Sequence, residues 1–267
     1  MKLDWHGRSE VGHVRERNED AYAAGQPDAD PRVFAVADGM GGHPGGDQAS
    51  RLAVEVVLQA PAIQRRESIR EYLARLHHDA AISLQEFSRA HVEFKDMGTT
   101  FTLAAFSRGL CYLCHVGDTR LYWIRSGERL RVTRDHTLAQ EMVESGRLLP
   151  EEAEDHPMSN VLTRCLGVCP DQRADLPERG LVVEAGDRFI LASDGLVKAV
   201  ATADLAALIA DRSAQQAADA LVQAALAGGA PDNVTVIVVE IVDPDPGKDA
   251  PEGISFADVR EYPWAAH

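Results

Sequence analysis

Three apolar runs in this chain stop in the same way, each delivering an aspartate at its end. Val33-Phe-Ala-Val-Ala37 leads into Asp38-Gly39, Leu113-Cys-His-Val-Gly117 into Asp118, and Phe189-Ile-Leu-Ala-Ser193 into Asp194-Gly195, while Asp232-Asn233 opens a further long apolar run. A carboxylate at the end of a buried strand is costly unless it is paired or bound to a metal, so several in related positions suggest a shared cation. Glycine beside the acid lets the chain turn sharply and lets a backbone carbonyl approach the ion, which makes Gly39 a candidate oxygen donor next to the Asp38 carboxylate. Ligation by oxygen alone selects a hard ion, hence Mg²⁺ or Mn²⁺ rather than zinc. Taken singly, an Asp-Gly pair is a turn signal. Spacing does not decide whether Asp20, Asp38, Asp118, Asp194 and Asp232 meet in space.

Gly12-His-Val-Arg15-Glu-Arg-Asn18-Glu19-Asp20 places a guanidinium ahead of an Asn-Glu-Asp cluster. Arginine holds phosphate oxygens bidentately while nearby carboxylates hold cations, although the charge pattern also fits a solvated turn. The loop Asp38-Gly-Met-Gly-Gly-His43-Pro-Gly-Gly46 is glycine-rich but carries Pro44 where a dinucleotide fingerprint needs glycine, and no Lys-Ser/Thr follows as in a phosphate-binding P-loop. His43 is a candidate general acid for a leaving alkoxide, with a solvent-facing loop histidine as the alternative.

The elements that must carry these groups are legible from period and composition. Strands are predicted over 33–37, 99–106, 110–116, 119–125, 188–192 and 233–241, several joined by short turns that favour antiparallel meanders. Ala49, Leu52, Ala53, Val56, Val57 and Ala60 share one helical face, as do Ile69, Leu73, Leu76, Ala80, Leu84 and Phe87. Ser213 with Gln216 forms a capping box for a third helix, closed by Gly228-Gly229. This order fits an α+β sandwich, helices outside and sheets inside, better than a regular βαβ alternation. Residues 1–242 form one domain, and the Pro- and Asp-rich 243–267 reads as a mobile tail.

The formal charge of −15 argues against a nucleic-acid or anionic-membrane surface, since either needs clustered positive charge. No apolar stretch approaches the roughly eighteen residues of a membrane span, and the N-terminus lacks an apolar signal core, so a cytoplasmic location is expected. Cys111 and Cys114 lie three apart on a predicted strand and point to opposite faces, which weakens a zinc reading of the paired cysteines.

Together these segments resemble the metal-dependent protein phosphatases of type 2C, and specifically their compact bacterial members. The resemblance runs from about Gly12 to Val239. Its elements stand in family order: Gly12…Arg15…Asn18-Glu19-Asp20, Asp38-Gly39-Met40-Gly41-Gly42-His43, Gly98-Thr99-Thr100, Val116-Gly117-Asp118-Thr119-Arg120, Thr133-Arg134-Asp135-His136-Thr137, Leu162-Thr163-Arg164-Cys165-Leu166-Gly167, Ser193-Asp194-Gly195-Leu196 and Asp232-Asn233-Val234-Thr235. Thr119 and Thr137 stand where serine is also common, and Val197-Lys198 follows at positions where polar residues vary.

The resemblance implies a four-layer αββα sandwich of two antiparallel sheets flanked by helices, with metals in a cleft at one edge. On it, Asp38 bridges two ions and Gly39 gives its carbonyl to one. Asp194 and Asp232 bind the other, and Asp20 and Glu19 support them, with Asn233 beside them. Arg15 holds the phosphate, and Asp118, shared with Asp194, completes a third, weaker site. A mobile flap spans about Leu138 to Asn160. The implied activity is that of a serine/threonine phosphoprotein phosphatase with two core Mn²⁺ or Mg²⁺ ions, in which a metal-bridging water attacks phosphorus without a phosphoenzyme. Its expected partners are phosphorylated proteins, including a Ser/Thr kinase or its substrates, and it is expected to be monomeric. The alternative from another class is a phosphoprotein-binding pseudophosphatase.

Overall fold

The computed structural model describes residues 1–40, 45–154, 156–246 and 252–259. In chain order its strands are β1 (Lys2–Glu10), β2 (Asp20–Ala24), β3 (Arg32–Asp38), β4 (Gly98–Thr99), β5 (Phe101–Ser107), β6 (Leu110–Val116), β7 (Arg120–Arg125), β8 (Glu128–Arg131), β9 (Leu166–Gly167), β10 (Leu181–Val182), β11 (Arg188–Ala192) and β12 (Val234–Asp243). The helices are α1 (Gly46–Gln59), α2 (Ile69–Ala90), α3 (Leu138–Glu144), α4 (Asp194–Ala199), α5 (Leu205–Ile209), α6 (Ala214–Ala227) and α7 (Phe256–Val259).

Sheet one has the order β1-β12-β11-β7-β8 and sheet two the order β10-β6-β5-β3-β2, with β4 and β9 forming a small ribbon. Period-2 alternation divides each central strand between two cores. In β3, Phe34 and Val36 face the space between the sheets while Val33, Ala35 and Ala37 face α1 and α2. In β12, Ile237, Val239 and Ile241 face between the sheets while Val234, Val236 and Val238 meet α6. Three apolar layers therefore separate four structural ones, and the fold is an αββα sandwich.

Two helices begin at reciprocal caps, Ser68 with Glu71 on α2 and Ser213 with Gln216 on α6, the second as expected from sequence. Strand β1, not expected from its mixed composition, pairs with β12 along its length and lies at a sheet edge, where few of its side chains need be apolar.

The strand expected over 99–106 is two. Strand β4 turns away to pair with β9, and the break falls at Thr100, whose N–H donates to the Asp38 carbonyl at 2.9 Å while its Oγ1 accepts the Asp38 N–H at 2.9 Å. Thr99 Oγ1 donates to the same carbonyl at 2.9 Å. The ladder is interrupted where its polar groups clamp the backbone of Asp38.

The expected mobile tail is corrected for residues 252–259. The Ile254 N–H donates to the Gly180 carbonyl at 2.8 Å and its carbonyl accepts the Val182 N–H at 2.9 Å, extending the edge of sheet two. Ile254, Phe256 and Val259 enter the inter-sheet core, with Phe256 edge-on to Trp123 at 4.9 Å. Three large apolar residues within eight are too few to show a period. Cys111 and Cys114 are free and face different cores, whereas Cys165 and Cys169 form a disulfide closing the turn that holds β9.

Candidate active site

The carboxylates come from strand ends gathered at one edge of the sandwich. In sheet two, Asp20 opens β2 directly opposite Asp38, which closes β3. Asp118 follows Gly117, at φ +110°, in the turn between β6 and β7. Sheet one brings Asp194 from the end of β11, where α4 starts, and Asp232 from just before β12. Gly39 is required by packing: its N–H donates to the Glu19 carbonyl at 3.0 Å, and a Cβ there would strike the backbone of Gly46 and Glu19.

Neutral side chains tie the two sheets together at this edge. Ser193 Oγ donates to Asp20 Oδ2 at 2.7 Å and accepts the Thr235 N–H at 3.0 Å. Asn233 Oδ1 accepts the Glu19 N–H at 2.9 Å, and its Nδ2 donates to the carbonyls of Val11 and Arg17, each at 2.9 Å. Asn233 thereby anchors the Arg15 loop against the start of β12.

A cavity of about 360 Å³ opens here, walled by Arg15, Asp38, Asp118, Asp194, Lys198 and Asp232, with Glu19, Gly39 and Asn233 also in its lining. A second cavity, of about 500 Å³, shares Asp118, Asp194 and Lys198 and continues beneath α3 to Arg120, Glu151 and Glu154. Glu154 is tied down by Arg120 Nη1 at 2.8 Å, and Arg120 Nη2 donates to the buried Asp135 at 2.8 Å.

The electrostatics are those of crowded carboxylates. Burial, followed by the charges of Asp20, Asp194, Asp118 and Asp232, holds Asp38 well above the usual carboxylate range. Asp118 is raised by burial and by Asp194 and Asp135. Asp20 is pushed up to about 7 by burial, against the hydrogen bonds from Ser193 and Thr235. Asp194 is raised by burial despite Lys198. Asp232 is the exception: burial opposes its ionisation, but Lys198, its neighbour's backbone N–H and Arg15 prevail and hold it low.

Those two cations define the pairing. Lys198 Nζ lies 2.5 Å from Asp194 Oδ2 and 2.9 Å from Asp232 Oδ2. Arg15 Nε lies 2.9 Å from Asp232 Oδ1, and its Nη2 donates to Oδ2 at 3.1 Å. Among the described residues no three acidic, histidine or cysteine side chains already surround a common point as the ligands of one ion do. With Lys198 and Arg15 drawn onto Asp194 and Asp232, these carboxylates are organised around ammonium and guanidinium. Their chemistry nevertheless fits hard divalent cations: all donors are oxygens, burial and mutual repulsion disfavour the anions without countercharge, and the buried Asp20 Oδ1 has no hydrogen-bond partner.

Of the residues singled out in the sequence, Arg15, Glu19, Asp38, Gly39, Asp118, Asp194, Asp232 and Asn233 line the one cavity, and Asp20 stands behind it on Ser193. His43 lies outside the described residues. Sequence reasoning missed Lys198, whose signal was its place four residues after Asp194 on a short helix, and the fastening role of Ser193.

A family model described as protein phosphatase 2C matches residues 9–228. The serine/threonine protein phosphatase PstP of Mycobacterium tuberculosis is 37% identical over 257 residues, covering 94% of this chain; the chain spans about half, 47%, of that relative's length. The protein phosphatase PhpP of Streptococcus pneumoniae is 32% identical over 245 residues, covering 89% of this chain and 97% of the relative. A solved structure of the catalytic domain of PstP in complex with two manganese ions superposes with a TM-score of 0.79 at 33% identity, covering 90% of this chain and 99% of that one.

Proposed function

Since the chain belongs to the protein phosphatase 2C family, we propose that it is a metal-dependent serine/threonine phosphoprotein phosphatase. The observation that carries this reading is the convergence of Asp38, Asp118, Asp194 and Asp232, from both sheets, on one cavity that also holds Arg15. Asp38, the Gly39 carbonyl, Asp194 and Asp232 would hold two Mn²⁺ or Mg²⁺ ions, with Asp118 and Asp194 available to a third. When bound, such ions acidify a water and offset the charge on phosphoryl oxygens.

The chain's own residues supply the rest. Arg15 already makes a two-point contact with the carboxylate of Asp232, and the same fork suits two phosphoryl oxygens. Asp20 and Glu19 orient the acidic cluster through Ser193 and Asn233. Among the described residues lining the cavity there is no serine, cysteine or histidine, and the Thr100 hydroxyl is held by Thr119 at 2.6 Å, which supports direct attack by water over a phosphoenzyme. We place His43 as the general acid, and the segment 138–160 as the flap that borders the substrate. Phosphoproteins controlled by a Ser/Thr kinase are the proposed substrates of a monomeric, cytoplasmic enzyme; none of the described helices is long and apolar enough to cross a membrane.

The test is hydrolysis of p-nitrophenyl phosphate and a phosphothreonine peptide by metal-stripped protein with Mn²⁺, Mg²⁺ or Zn²⁺ restored. Activity should return with Mn²⁺ or Mg²⁺. Asp38→Asn should abolish it and weaken metal uptake in calorimetry, whereas Arg15→Ala should keep the metal and raise KM about tenfold or more. Absence of turnover in wild-type protein with metal bound would leave a phosphoprotein-binding pseudophosphatase instead.

A further inference from the structure

We propose that Lys198 is a tethered cation that stands in for one divalent ion at the Asp194–Asp232 pair and is exchanged for it when metal binds. The inference rests on the metal-binding reading above and concerns a residue to which that reading gives no part.

Helical spacing puts Lys198 one turn beyond Asp194 on α4, so its side chain lies along the same face. Its ammonium is within 2.9 Å of carboxylates from two separate segments, the start of α4 and the residue ahead of β12. Two anions held together at a partly buried edge repel unless a cation lies between them, and Lys198 Nζ meets both. Lys198 Nζ contacts Oδ2 of both carboxylates and Arg15 contacts both oxygens of Asp232, so an ion ligated by Asp194 and Asp232 competes with the ammonium for the pair.

The geometry also provides a route for the displaced side chain. Its exposure is 29%, its stem is flexible, and it walls both the acidic cavity and the larger one beneath α3. A swing into the larger cavity keeps the positive charge near Asp118 and Glu154 without crossing the protein. The exchange has two consequences: without metal the cluster stays assembled, and one ion binds more weakly than the carboxylates alone would allow.

The experiment is calorimetric titration of Mn²⁺ into metal-stripped wild type, Lys198→Met and Lys198→Arg, with thermal unfolding of each metal-free protein. Lys198→Met should bind one Mn²⁺ about tenfold tighter or more and unfold at a lower temperature without metal, while Lys198→Arg stays near wild type. Wild-type affinity and unchanged metal-free stability in Lys198→Met would overturn the proposal. Wild-type protein that takes up no Mn²⁺ would overturn the metal-binding reading itself. A second measurement needs no substitution: the chain has four lysines, at 2, 95, 198 and 248, so each can be followed by NMR after ¹³C-methylation. Titration with Mg²⁺ should move the Lys198 resonance and leave Lys2 and Lys95 in place; a Lys198 resonance unmoved at saturation would overturn the exchange even if the methionine variant does not fold.

Discussion

At the scale of single residues, several neutral polar side chains near the acidic edge act by hydrogen-bonding the backbone of other segments. Asn233 meets the backbone of three other residues, and the Thr99 and Thr100 hydroxyls are used on the backbone of Asp38. The buried His115 shows that burial can govern a titration even where both ring nitrogens are hydrogen-bonded. Its Nε2–H donates to the Arg134 carbonyl at 2.9 Å, leaving Nδ1 to accept the Thr102 hydroxyl at 2.8 Å. Burial, followed by the nearby His136, lowers its pKa from 6.5 to about 3. The folded protein thus keeps this ring neutral while the unfolded chain protonates it, so the stability it confers is complete above about pH 6.5 and is lost as pH falls toward 3. At about 1.4 kcal/mol per pH unit, the stability advantage of wild type over His115→Asn should shrink by about 2 kcal/mol between pH 7 and pH 5. Urea unfolding at the two pH values measures it, and an unchanged difference would contradict the assignment.

At the scale of elements, the short segment ending in α7 has an effect beyond its length. Phe34, Phe106, Phe189 and Trp123 form a chain of ring contacts between the sheets, and Phe256 caps it, with the Arg125 guanidinium 5.3 Å from its ring. Phe256→Ala should cost about 3 kcal/mol, read as a lower denaturant midpoint at unchanged slope. Because Phe256 packs on Trp123 toward the end of β7 away from Asp118, phosphatase activity measured well below the unfolding transition should be retained. The capped start of α6 and the central strands were visible in the sequence because caps and period-2 patterns are local. Strands β1, β2 and β10 were not, since edge and two-residue strands bury too little to impose a pattern.

At the scale of the whole molecule, the sandwich serves as a frame that brings carboxylates from its two sheets against one another. The resulting repulsion is offset without metal by Lys198 and Arg15, and divalent ions should offset it better. Saturating Mn²⁺ should therefore raise the unfolding temperature: at a hundredfold excess over Kd, one site contributes about 2.7 kcal/mol, or roughly 5–10 °C. Scanning calorimetry with and without a chelator checks this, and an unfolding temperature indifferent to Mn²⁺ would count against the acidic edge as a metal site. The sequence by itself determined the family, the order of the central elements and the identity of the acidic residues, because each is written in short-range spacing. Only the tertiary structure decided that Ser193 and Asn233 fasten the two halves of the site, that residues 252–259 complete the core, and that Lys198 lies between Asp194 and Asp232. Those relations join residues far apart along the chain, or depend on a third partner, and local propensity carries no record of what the far partner will be.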